Sequence, residues 1–70
     1  MIKRGILKEF DSETYLATVQ MIGSLPTWLH GIPVSRGISA DQMVVDRSVL
    51  IYFAAPGGPP SAVVIAVWTP

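Results

Sequence analysis

With 70 residues, no cysteine and five basic residues balancing five acidic ones, the chain has room for one domain and nothing with which to staple it by disulfides or thiolate-bound metal. A domain of this size hides only about 60% of the surface its unfolded chain exposes, which leaves oligomerisation as the remaining source of stability. Zero formal net charge excludes the basic footprint that draws proteins to nucleic acid, and the longest apolar runs, Val49 to Ala55 and Ala62 to Trp68, fall far short of the roughly 20 residues of a membrane-spanning helix.

Ile2 to Phe10 carries Ile2, Ile6, Leu7 and Phe10 around Gly5 and predicts a first strand with a glycine bend, ended by the polar cluster Asp11-Ser12-Glu13. Its Lys3 and Arg4 are not followed by the apolar core of a signal peptide, so a leaderless chain made in the cytoplasm is expected. Thr14 to Ile22 has a period of two, with Tyr15, Ala17, Val19 and Met21 on one face. This predicts a second strand, joined to the first by a three-residue hairpin connection. After the break at Gly23-Ser24-Leu25-Pro26, Thr27 to Val34 reads as a third strand with Trp28, His30, Ile32 and Val34 on one face. Pro33 cannot donate to a ladder and Gly31 interrupts the run, so this strand is expected at an edge or bulged.

Ser39 followed three residues later by Gln42 fits a capping box opening one short helix, with Asp41 in the first turn. The β-branched Val44 and Val45 should end it there. Ser48 to Ala54 and Ser61 to Thr69 complete the pattern as strands four and five, joined by Pro56 to Pro60, a loop stiffened by three prolines. The expected fold is therefore all-β with one short helix, a single small five-stranded barrel over residues 1–70 in the order β-β-β-α-β-β. That order is OB-like, with an SH3-like barrel as the alternative.

Strands four and five are apolar on both faces. If Val49, Ile51 and Phe53 point inward, Leu50, Tyr52 and Ala54 point outward; in strand five Val63, Ile65 and Val67 oppose Ala62, Val64, Ala66 and Trp68. An antiparallel sheet with one wetted face alternates apolar with polar, and monomers rarely expose contiguous apolar patches above a few hundred Å². Leu50, Tyr52, Phe53, Val64, Ala66, Trp68 and, in strand three, Trp28 are accordingly expected in the core or at a contact between subunits.

No residue set points to catalysis. His30 stands ten or more residues from any carboxylate, and the acids Glu9, Asp11 and Glu13 at the first turn are too few for a calcium site. None of the serines lies in a nucleophile motif, and no phosphate-binding loop occurs. No catalytic, cofactor-binding or metal-ligating residue is assigned. The aromatics Phe10, Tyr15, Trp28, Tyr52, Phe53 and Trp68 lack the positive groove of a single-strand binder, which again reads as core or contact.

The run GILKEFDSETYLATVQ, with Gly5, Asp11, Tyr15, Ala17, Val19 and Gln20, then GIPVSRGI and VLIYF, and finally VVIAVW, resembles the small OB-like barrels of tailed-phage tails, baseplates and prophage-derived particles. The resemblance implies a non-enzymatic structural protein that assembles with itself into rings, or decorates a tube beside other particle or tail proteins. It brings no catalytic residues. Without a following β-helix or spike segment, it does not imply membrane piercing.

Overall fold

A computed structural model describes residues 1–22, 27–54 and 61–69. Five strands, β1 (Ile2–Asp11), β2 (Leu16–Met21), β3 (Thr27–Pro33), β4 (Ser48–Phe53) and β5 (Ala62–Trp68), form one sheet in the order β3-β2-β1-β4-β5, with every neighbouring pair antiparallel. The first three strands make a meander and β4 returns by a long connection to lie beside β1, which is the Greek-key order. The two outer strands also approach each other. Val34 bridges Val64 in the parallel sense, and the Ser35 N–H donates to the Val64 carbonyl at 2.9 Å.

The core takes residues from every strand: Leu7, Val19, Ile32, Val49, Ile51 and Val64 are fully buried. Each such side chain contributes about 1.5–3 kcal/mol relative to exposure. Val34 and Met43 from the connection between β3 and β4 belong to the same core. That connection is tied to β1, since Leu7 N–H donates to the Arg47 carbonyl and Asp46 N–H to the Leu7 carbonyl, extending the β1–β4 ladder beyond Ile6–Ser48.

Irregularities, rather than strand positions, account for the departures from the sequence reading. Opposite Thr18 both neighbours of β2 are bulged: β1 carries the extra residue Lys8, and β3 places His30 and Gly31 where β2 has one residue. Gly31 takes φ +68°, the left-handed value for which such a bulge selects glycine. As a result Ala17, Thr18 and Val19 are buried consecutively and the strict alternation expected in strand two fails. The same bulge divides the face expected for strand three. Trp28 and His30 are exposed, whereas Ile32 and Val34 are buried and Leu29 packs on the core. β3, expected to be either an edge strand or a bulged one, stands at one end of the sheet order and is also bulged.

The first hairpin connection is longer than the three residues expected. It takes four, Ser12 to Tyr15, because Asp11 ends β1 and folds the chain back on itself: its Oδ1 accepts the Glu13 N–H at 2.9 Å and its carbonyl accepts the Tyr15 N–H at 2.8 Å. Tyr15, at φ 56°, leaves the strand and donates its hydroxyl to the Ile38 carbonyl at 2.6 Å.

The short helix is a single 3₁₀ turn, Ala40–Gln42, and the capping box does not form. The Ser39 hydroxyl donates to the Asp41 carboxylate, and the Gln42 side chain accepts from Arg47 Nη1 at 3.1 Å instead of reaching back to Ser39. Arg47 Nη1 also donates to the Gln42 carbonyl at 3.1 Å. The break at 23–26 and the proline loop at 56–60 lie outside the described residues.

Candidate functional site

In an antiparallel ladder, directly opposed residues share a face, so register locates the outer surface of β1, β4 and β5. Ile2 stands opposite Tyr52, which stands opposite Val63; Arg4 stands opposite Leu50, which stands opposite Ala66; Ile6 stands opposite Ser48, which stands opposite Trp68. Between Leu50–Ala66 and Ile51–Val64, β5 is bulged by one residue, Ile65. The bulge turns Val67 towards the core beyond Ala62 and Val64 and leaves Ala66 and Trp68 outside. Three rows of three residues thus contain seven apolar side chains, one serine and one arginine.

Ser48 is buried, but the exposures show that none of the described residues covers the rest of this surface fully. Ile2 is 57% exposed, Tyr52 41% and Trp68 37%, with Leu50, Val63 and Ala66 half-buried and Ile65 exposed at the edge. Looseness of the fold is not the cause. The total accessible surface is 4226 Å², and a compact monomer of this mass exposes about 4300 Å².

The residues named from the sequence therefore divide. Leu50, Tyr52, Ala66 and Trp68 come together on the outer face. Val64 is fully buried core and Phe53 is half-buried against it, so these two belong to the interior. Trp28 also lies outside, but with two strands, β2 and β1, between it and β4; it stands beside Gln20, with Lys8 Nζ 5.8 Å from its ring centroid. Ile2, Ile6 and Val63 join the face without having been singled out. Ile2 and Ile6 had a visible signal in their spacing, but only the β1–β4 pairing places them there.

A second surface lies at the opposite end of β1. An open cleft of about 830 Å³ beside the β1–β2 connection is lined by Glu9, Asp11, Glu13, Phe10, Leu16 and Val45 among others. Leu16 and Val45 are exposed there. No group of three or more potential metal ligands occurs among the described residues. His30, exposed, has Nδ1 3.3 Å from the Thr18 hydroxyl oxygen, a contact across the β2–β3 bulge. Among the described residues no helix is long and apolar enough to cross a membrane.

No protein-family model, curated protein or solved structure matches this chain.

Proposed function

We propose that the protein is a non-enzymatic structural subunit, an OB-type barrel that assembles with copies of itself into a ring or larger particle of phage-tail-like character. The observation that carries this reading is the outer face of β1, β4 and β5, where Ile2, Leu50, Tyr52, Val63, Ala66 and Trp68 form an apolar surface around Arg4 in an otherwise compact chain. Covering it removes apolar area from water at about 25 cal/mol per Å², a contribution that a 70-residue domain lacks alone. The OB-type assignment draws on the Greek-key order, the parallel approach of β3 and β5 at Val34–Val64, and the 3₁₀ turn between β3 and β4. Light scattering after size exclusion tests the assembly. A mass several times 7.6 kDa at micromolar concentration is expected, and a mass equal to one chain refutes it.

A second reading, a binding module for single-stranded nucleic acid or an extended peptide, draws on Trp28, half exposed with the Lys8 ammonium beside its ring. The cation is shared, since Lys8 also pairs with Asp46 at 3.2 Å. That leaves little positive charge for phosphates on this side, and the assembly reading is preferred.

A further inference from the structure

The balanced charge of the sequence conceals two opposite poles. At the start of β1 stand Lys3 and Arg4. At the other end of β1 lie the first hairpin and the whole connection from β3 to β4, and with them all five carboxylates against Lys8, Arg36 and Arg47. Those three cations are engaged locally: Lys8 with Asp46, Arg47 with Gln42, and Arg36 over the Tyr15 ring at 4.9 Å. Lys8–Asp46 is the only ion pair among the described residues, so Arg4 meets no carboxylate there and Glu9 and Glu13 meet no cation. From Arg4 to Glu9 the strand runs five residues, at most about 17 Å at ~3.3 Å per residue, and it is shortened by the bulge at Lys8. That is about twice the Debye length of about 8 Å at physiological salt, so the two poles interact only weakly within one molecule.

Arg4 lies inside the apolar face, opposite Leu50, while the cleft is lined by Glu9, Asp11 and Glu13 against one cation, Lys8, which is held by Asp46, and has apolar lining of its own in Leu16 and Val45. A twofold contact that closed the apolar face on itself would bring the Arg4 side chains of both copies into one desolvated patch. A contact between unlike surfaces places Arg4 against the free acids. We propose that the apolar face around Arg4 of one copy docks on the acidic cleft beside the β1–β2 connection of the next, so that copies associate head to tail. Such a contact repeats, giving a ring where its rotation closes and a filament where it does not. The inference rests on the self-assembly reading and specifies which two surfaces of the chain meet.

Two variants, each disabling one surface, test it: Arg4→Glu, and the pair Glu9→Lys with Glu13→Lys. Asp11 is left intact because it holds the hairpin turn. With folding checked by circular dichroism, light scattering should find each variant alone at the single-chain mass of 7.6 kDa. Their equimolar mixture pairs the parent face with the parent cleft at one contact and the two charge-reversed surfaces with each other at the other, so it should assemble to masses above that of either variant alone. A parent that assembles while the Glu9→Lys, Glu13→Lys variant assembles equally well overturns the head-to-tail contact and leaves self-assembly standing; so does a mixture that stays monomeric. A parent of single-chain mass overturns both readings. Should the double variant not fold, salt titration of the parent decides: the assembled mass should fall as salt rises from 50 mM to 0.5 M, and an unchanged or larger mass overturns the charge pairing.

Discussion

Gly5 stands buried in the middle of β1, opposite Met21 on one side and Val49 on the other, and its replacement by alanine is the sharpest test of the packing. A Cβ there would collide with Val19 Cγ1 and sit 3.0 Å from the Gln20 carbonyl oxygen, with Ile51 Cδ1 at 3.6 Å. The end of Ile51 can yield. The Gln20 carbonyl is backbone within a ladder, and Val19 is fully buried and β-branched, so its χ1 has little freedom to swing away. Overpacking of this kind costs about 1–3 kcal/mol, partly offset by the roughly 0.4–1 kcal/mol that alanine gains by restricting the unfolded chain. The net loss is therefore about 1–2 kcal/mol, which at ~4–8 °C per kcal/mol lowers Tm by about 5–15 °C. Two controls isolate the cause. Gly31→Ala meets no atom within 4 Å but must adopt φ +68°, and should lose about 1 kcal/mol through backbone strain alone. Gly37→Ala, with only Ser35 Oγ at 3.6 Å and no left-handed φ, should match the parent or exceed it slightly. Thermal unfolding followed by circular dichroism at one fixed protein concentration is the assay, because the proposed assembly would make Tm depend on concentration. If Gly5→Ala melted with the parent and Gly37→Ala, the close approach of Val19 to β1 would not be a rigid feature of the fold.

Tyr15→Phe removes the hydroxyl that donates to the Ile38 carbonyl and should cost about 0.5–1.5 kcal/mol; an unchanged urea midpoint would mean water replaces that bond at no loss. Tyr52→Asp, at an outward position, should release folded single chains, whereas Val64→Asp, in the core, should abolish folding. Light scattering with circular dichroism separates the two, and a Tyr52→Asp variant that assembled like the parent would remove this face from the contact. Labelled oligonucleotides at low salt should bind only weakly in fluorescence anisotropy, and submicromolar, steeply salt-dependent binding would restore the single-strand reading.

How much of this was legible depended on range. The five strands were readable because alternation, β-branching and turn residues act over a few neighbours, and each fell within a few residues of its expected limits. The helix between strands three and four was misjudged because Ser39 and Gln42 satisfy a local pattern while their side chains are taken by Asp41 and by Arg47, whose position depends on the β1–β4 ladder.

By itself the sequence determined the class of structure and the excess of apolar residues in Leu50–Phe53 and Ala62–Trp68, since burial preference and periodicity belong to the residues themselves. Only the tertiary structure decided which of those residues remain outside. A strand's two faces are exchanged by a single extra residue, and the bulges at Lys8, His30-Gly31 and Ile65 arise from pairing with partners distant in sequence. Pairing likewise brought Ile2, Arg4 and Ile6 beside β4 and separated the poles of a chain whose charges cancel in the sum, because a net charge carries no positions until the strands have directions.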